Sequence, residues 1–417
     1  MIAYLVNKVG YGLLVLWGVV TLVFFLFNLT PGDPVRNLVG ENASAEVVDN
    51  MRRKLDLDLH VWERYVLYLN GLSPLGIHSS DEHSRIYFDK SECSGYRIAW
   101  SAKGKALYVK APYLKRSFLS DKSVSSILAE VMPGTFILAV VSITLALILG
   151  LLLGIVAAIH KNGFYDRFIL FVSALGMAGP SFFVAILVAW VGAVVWRDEI
   201  RVSLSMLVFT ATTLASWFAF ARSGRKLFWM LPCVAIAIGW FSSSIPYLAW
   251  LNTYWSLPGT GLNMTGSLYS VDVWQGEFLD VKNLILPVIT LMIRPLSVIV
   301  QLTRSSLLEV LAQDYIRTAR AKGLSQWEVI YRHALRNALN PVITAVSGWF
   351  ASLLAGAIFV EFVFGWKGLG QQMFTAIENQ DMPVVMGGVI VISTAFVLIN
   401  IVVDLLYGWI DPRVRIA

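Results

Sequence analysis

Five stretches of this chain run far enough without a charged side chain to cross a lipid bilayer: Val9–Leu29, Val131–Ile159, Phe168–Trp196, Val202–Ala221 and Leu227–Leu251. A helix needs about 20 apolar residues to cover roughly 30 Å of hydrocarbon. Three further runs, Leu284–Thr303, Pro341–Phe364 and Val384–Ile410, each carry one ionisable residue, respectively Arg294, Glu361 and Asp404. The sequence therefore predicts an all-α polytopic membrane protein with about eight transmembrane helices. With 57% hydrophobic and 14% charged residues, the chain has too little polar surface to cover a soluble globule of 417 residues.

Orientation follows from Lys and Arg in the short loops. Lys161 and Arg167, then Arg222, Arg225 and Lys226, then six bases between Arg304 and Asn340, then Arg413 and Arg415 all fall on one side. Both termini are expected in the cytoplasm, in a multi-pass plasma-membrane protein (the inner membrane of a Gram-negative cell). The net charge of +6 is thus mainly a topology signal. Its bases are spread over several loops, which argues against a nucleic-acid surface. The first apolar run is too long for a signal-peptide core and ends in Thr30-Pro-Gly-Asp-Pro34 without a cleavage pattern, so it reads as a span. Cys93 falls in a predicted exported loop and Cys233 within a span, which leaves no disulfide framework.

Residues 31–130 read as a small α+β exported cap domain. Helical spacing places Val47, Met51, Leu55, Tyr65 and Leu69 at apolar positions, and alternation from Arg85 to Tyr113 around Lys103-Gly104 predicts a β-hairpin. His78, Asp81, His83 and Cys93 are close in sequence, but their spacing fits no closed tetrahedral site and a solvated loop is the better reading, so no metal is expected. No GxxxxGK[ST] loop occurs, and the Gly365–Gly370 cluster lacks the Lys-Ser/Thr pair, so this chain is not expected to hydrolyse ATP or to be an enzyme. No HExxH or GxSxG motif is present either.

The loop from Arg304 to Asn340 has readable mechanics. Asp314 is the expected N-cap of a helix over Tyr315–Lys322, with Tyr315, Ile316 and Ala319 on one face and Arg317, Arg320 and Lys322 elsewhere. Gly323 ends that helix, and Ser325-Gln-Trp-Glu328 is a capping box that starts a second. The pattern alone equally fits an ordinary amphipathic surface loop.

Leu302–Arg415 resembles the membrane subunit of a binding-protein-dependent ABC importer in the dipeptide/oligopeptide/nickel permease family, of the first-permease type. The residues that carry the likeness are LTRSSLLEVLAQDYIRTARAKGLS, RHALRNALNPV, VEFVFGWKGLGQQM, DMPVVMGGV and NIVVDLLYGWIDPRVR. LFNLTPGDPV and EVMPGTFILAVVSITL are similar to earlier parts of the same family. The resemblance implies that the loop is the EAA signature, whose helix docks into an ATPase. On that basis the ATPase-coupling residues are Asp314, Tyr315, Ile316, Arg317, Thr318, Ala319, Arg320, Ala321, Lys322, Gly323, Leu324, Ser325, Glu328 and Leu335. Gly323, Leu335 and Ala319 fit the signature, whereas Arg317, Thr318 and Arg336 depart from it. The family usually has six spans, so 201–251 reads as an inserted transmembrane hairpin, followed by an exported loop over 252–283 and a core over 284–417.

The resemblance implies two ABC ATPase subunits that bind ATP and Mg, a second homologous permease, a substrate-binding protein and a peptide substrate, with no cofactor on this chain and no nucleic acid. Nickel chelates or oligosaccharides are the alternative cargo, and an ion-coupled carrier or channel the alternative class. Arg294, about mid-span, must avoid lipid. An internal brace with Glu361 or Asp404 is preferred over a site for a peptide carboxylate.

Overall fold

The computed structural model describes residues 2–29, 34–40, 43–79, 81, 84, 86–87, 95–100, 105–203, 254–272 and 276–410. The chain divides into two compact units, one formed by 1–185 and 267–417, the other by 186–266.

The first unit is built on long apolar helices. α1 (Ile2–Leu29) leads into a short α2 (Pro34–Val39), α3 (Ala45–Lys54) and α4 (Val61–Leu72). A three-stranded antiparallel sheet follows, ordered β1 (Leu75–Ser79), β3 (Lys105–Lys110), β2 (Gly95–Trp100). The expected hairpin is thus present as β2 and β3, with β1 added on its other edge. α3 departs from expectation because none of its residues is buried and Val47 is 48% exposed. The apolar spacing continues into α4, where Tyr65 and Tyr68 are buried against Phe24 of α1, with ring centroids 5.3 and 5.6 Å away. The Tyr65 and Thr21 hydroxyls share a 2.6 Å hydrogen bond.

α5 (Val124–Ile159) has 36 residues, about 54 Å at 1.5 Å per residue, so it outruns the hydrocarbon. Its most extensive partner is α8 (Lys282–Leu311), named in sequence after α6 (Phe164–Ala178) and α7 (Ser181–Trp190). Ala146, Gly150, Gly154 and Ala157 form the small-residue stripe on which α8 lies. A side chain at Gly150 would begin 2.6 Å from Ile299 Cγ2, and one at Gly154 2.6 Å from Thr303 Cβ. Close backbone approach of this kind is what holds helices together in lipid.

After α8 come α9 (Asp314–Ala321), α10 (Gln326–Glu328), a π-turn over Val329–Ala334, α11 (Leu335–Ala338), α12 (Asn340–Gly356), α13 (Ile358–Val363), α14 (Leu369–Glu378) and α15 (Met382–Ile410). Asp381, just before α15, is buried and accepts from Ser117 Oγ at 2.5 Å and Phe118 N at 3.0 Å, fixing the last segment of the cap domain to that helix.

Four described helices are long and apolar enough to span, or five when the bent pair α6 and α7 counts as one. Two predicted single spans are broken. Phe168–Trp196 bends at Gly179-Pro180, where proline removes a backbone donor, and Pro341–Phe364 is interrupted at Ala357. Val202–Ala221 and Leu227–Leu251 fall almost wholly outside the described residues.

In the second unit, a π-turn at Val191–Val195 ends α7, and β4 (Ile200–Ser203) pairs antiparallel with β5 (Tyr254–Leu257). Trp196 Nε1 donates to Pro258 O at 3.1 Å and Thr260 Oγ1 to Gly192 O at 2.7 Å. The insertion expected to begin as helix near residue 201 therefore opens as a strand. In the first unit, β6 (Tyr269–Asp272) and β7 (Gly276–Leu279) form a second short pair within the loop expected over 252–283.

Replacing Gly154 with Val should push α5 from α8 and cost about 1–3 kcal/mol of overpacking strain. The check is thermal unfolding of the purified protein against Gly10→Val, a position with open space around it; equal stability of the two would refute the packing argument.

Candidate functional site

Helix α8 does not stop at the predicted membrane boundary. It runs past Arg304 to Leu311, so the first part of the predicted loop is a rigid continuation of a span. The chain turns at Ala312-Gln313 and enters α9. Here Gln313, not Asp314, is the N-cap, and it makes no side-chain capping bond. Asp314 is the first helical residue and accepts from Arg317 Nη1 at 3.3 Å, an exposed pair worth little by itself. Its acid still favours the positive end of the helix dipole.

Ile316 is 0% exposed and Ala319 is buried beside it. They pack in one apolar cluster with Ala158 of α5, Leu307 of α8 and Val329, Ile330, Ala334 and Ala338 of the returning segment. Tyr315 does not share that face. It is exposed, and its hydroxyl accepts from Asn337 Nδ2 at 2.8 Å. Arg317, Thr318, Arg320, Ala321 and Lys322 are exposed, as expected of an outer surface.

Gly323 has φ +81°, the left-handed conformation its position requires, and donates to Arg320 O at 2.9 Å. Leu324 is half-buried against the cluster. The capping box is complete: Glu328 N donates to Ser325 Oγ at 3.3 Å, and Ser325 N and Oγ donate to Glu328 Oε2 at 3.1 and 3.0 Å. The Ser325 backbone N–H first, then its hydroxyl, hold the Glu328 carboxyl below its ordinary pKa. The box is therefore intact at neutral pH and is lost as pH falls through that lowered value. The second helix is not regular, since the π-turn at Val329–Ala334 separates α10 from α11, where half-buried Leu335 starts. Trp327 and Tyr331 are left 68% and 79% exposed.

This assembly is anchored by a pair that no local motif announces. Arg304 Nε and Nη2 donate to Asp166 Oδ1 and Oδ2 at 2.5 and 2.7 Å, while Asn162 N donates to Asp166 Oδ2 at 2.8 Å. The Asp166 side chain is 2% exposed. The start of α6 is thus clamped to α8 shortly before α9. The available signal was one acid, Asp166, in a connection otherwise bearing Lys161 and Arg167.

A second polar node lies about 35 Å further along α5, counting 1.5 Å per residue from Ala158 to Thr135. Thr135 Oγ1 donates to Glu361 Oε1 at 2.6 Å and accepts from Leu369 N at 2.7 Å. Gly370 N and Gln371 N donate to Glu361 Oε2 at 2.7 and 3.1 Å. Glu361, fully buried on α13, therefore caps the N-terminus of α14. Any side chain at Gly368 or Gly370 would collide with the Glu361 carboxylate, which explains the glycines between Trp366 and Gln371.

Of the two acids weighed as a brace for Arg294, Glu361 is held by Thr135 and α14 instead, and the side chain of Asp404 lies outside what is described. Arg294 is half-buried on α8 and forms no ion pair among the described residues. Asp404 lies within α15. Of the four residues weighed as metal ligands, His83 and Cys93 lie outside the described residues, Asp81 N donates to Ser79 Oγ at 3.1 Å, and buried His78 stacks edge-on with Tyr108.

Several helices long and apolar enough to span, with a rigid helix-turn-helix extension beyond them, define a polytopic membrane protein. Residues 150–416 match the family of binding-protein-dependent transport system inner membrane components, and residues 1–96 match the N-terminal part of such components. The chain belongs to that family and is an ABC importer permease. It is 31% identical over 418 residues to the dipeptide transport system permease protein of Alkalihalophilus pseudofirmus, covering 100% of both chains. It is 32% identical over 424 residues to the dipeptide transport system permease protein of Escherichia coli K12, covering 100% of this chain and 99% of that one. The di/tripeptide transport system permease protein of Pseudomonas aeruginosa is 31% identical over 418 residues, at 100% and 99% coverage.

Replacing Asp166 with Asn should leave Arg304 without its counter-charge and cost about 3 kcal/mol. Thermal unfolding of Asp166→Asn, Arg304→Met and the double variant checks this; purely additive losses would mean that the two groups are not coupled.

Proposed function

We propose that this chain forms one part of a translocation path for di- and oligopeptides and is worked from outside by separate ATPase subunits gripping residues 314–338. The observation that carries the proposal is the two-sidedness of that segment. Its inner side, Ile316, Ala319, Val329, Ile330 and Ala334, is sealed onto the ends of α5 and α8. Its outer side offers Tyr315, Trp327 and Tyr331 to a partner. Aromatic residues of this kind are common anchors of protein interfaces.

In this mechanism two ATPase subunits, binding ATP and Mg, close and displace the docked helices. The capped, bent unit moves as a body, because Ser325 and Glu328 fix the second helix and Gly323 fixes the angle. The Asp166–Arg304 clamp and the apolar cluster pass the displacement into α5 and α8. α5 carries it to Thr135 and the Glu361 node, where α13 and α14 meet. Such rigid-body motion is the usual form of alternating access. A second, homologous permease completes the path, and a soluble binding protein delivers cargo on the side opposite the loop. Both termini then lie in the cytoplasm. Peptide cargo is supported by the names of the full-length relatives. An ion-coupled carrier is disfavoured because Glu361, its best candidate acid, already accepts three hydrogen bonds.

Gly323→Val is the direct test. The position has open space around it, so the strain comes from backbone φ alone and amounts to about 1–2 kcal/mol. The variant should insert and assemble normally, retain ATP hydrolysis in the assembled importer, and lose peptide uptake by about tenfold, the equivalent of 1.4 kcal/mol. Undiminished uptake would contradict the lever mechanism.

A further inference from the structure

A cavity of about 130 Å³ lies among α1, α4, the segment around Lys115 and the first turns of α15. Transport as derived above makes no use of it. Phe24, Phe27 and Met386 supply its apolar lining, and Asn28, Arg64 and Lys115 its polar lining.

The Arg64 guanidinium is half-buried and makes no hydrogen bond or ion pair among the described residues. Burial lowers its pKa, and the field of Asp56 is the opposing influence. Asp56 is itself engaged by Lys115, Nζ to Oδ2 at 3.4 Å. Both charged residues that line the cavity, Arg64 and Lys115, are cations, and no described acid lines it. Asp56 and Lys115 also adopt φ of +59° and +65°, although neither is glycine. Non-glycine residues held in this region mark places where surrounding structure imposes a conformation, often around a ligand.

The depth of the cavity follows from α5. Val124, at its start, packs in one cluster with Phe27 and Leu114, whereas Ala158, near its end, packs in the coupling-loop cluster. The cavity is therefore at the membrane edge remote from the coupling loop. Trp62 and Val66, one turn apart on α4, are both exposed, and the Trp62 ring stands edge-on to Phe25 of α1 with centroids 5.0 Å apart. Leu22 of α1, one turn deeper, is also exposed. An exposed Trp beside the last turn of a span is the usual marker of headgroup depth.

We propose that this cavity binds the phosphodiester headgroup of an anionic phospholipid from the leaflet opposite the coupling loop. Arg64 donates to the phosphate through its planar fork, Lys115 supplies the second positive charge, and Phe24, Phe27 and Met386 cover the glycerol end of the acyl chains. A bound lipid would tie α4 to α1 and α15 and so fix the cap domain to the membrane surface.

The test uses the whole importer, purified with its partner subunits in mild detergent. It is titrated separately with dioctanoyl phosphatidylglycerol, dioctanoyl phosphatidylcholine, inorganic phosphate and a dipeptide, reading the unfolding temperature and, by native mass spectrometry, retained lipid. Phosphatidylglycerol should be retained in preference to phosphatidylcholine and should raise the unfolding temperature. Arg64→Gln should weaken its binding by about tenfold or more, the loss expected of one charge-assisted hydrogen bond, with Arg64→Lys in between. Equal retention of the two lipids, or undiminished phosphatidylglycerol binding by Arg64→Gln, overturns the proposal. Equal protection by phosphate or by the dipeptide also overturns it, since the site would then belong to a soluble anion. If Arg64→Gln does not assemble, the lipid preference of the wild-type protein decides alone.

Discussion

Lipid gives two apolar helices no hydrophobic reason to associate, so the pairing of α5 with α8 depends on how closely their backbones approach. Gly150 and Gly154 set that approach, and Ile299 and Thr303 occupy the space where their side chains would be. Everything that the proposed mechanism moves is attached to this pair. Helix α9 is sealed onto its one end through Ala158 and Leu307, and Thr135 ties the other end to Glu361. A seam of methyl contacts at fixed separation can slide or tilt as a unit but absorbs little compression, which is the property required of a transmission element.

The two polar anchors on this pair have opposite characters. Asp166 and Arg304 form a bidentate pair whose members would each be costly to leave alone. Glu361 is instead matched by backbone N–H groups and one hydroxyl, so it defines a shape more than it neutralises a charge. It holds the turn from α13 into α14 closed, and Trp366 N reinforces it by donating to Glu361 O at 2.8 Å.

Local features were legible in the sequence where one turn of chain decided them. The left-handed bend at Gly323, the capping box of Ser325 and Glu328, and the hairpin of β2 and β3 all follow from residues a few positions apart. Errors arose where a distant group decided the outcome. Asp314 had the right chemistry for an N-cap, but the helix begins one residue earlier, with Gln313 as the cap, while Ile316 and Ala319 pack on Ala158 and Leu307. The same packing turned Tyr315 outward. Val47 fits a helical stripe, yet no residue of α3 is buried. Glu361, one of the two acids weighed beside Arg294, is held by Thr135, 226 positions away, and Asp166 meets Arg304 over 138 positions. No periodicity in a single sequence encodes such pairings.

The strand pair of β4 and β5 has a different implication. Because Ser203 faces Tyr254 and Ile200 faces Leu257, the chain departs into residues 204–253 and comes back along adjacent tracks, which in an antiparallel pair run about 5 Å apart. A segment joined to its host through such a neck is topologically a cassette. It can be lengthened, exchanged or replaced by a tight turn while the flanking chain keeps its direction.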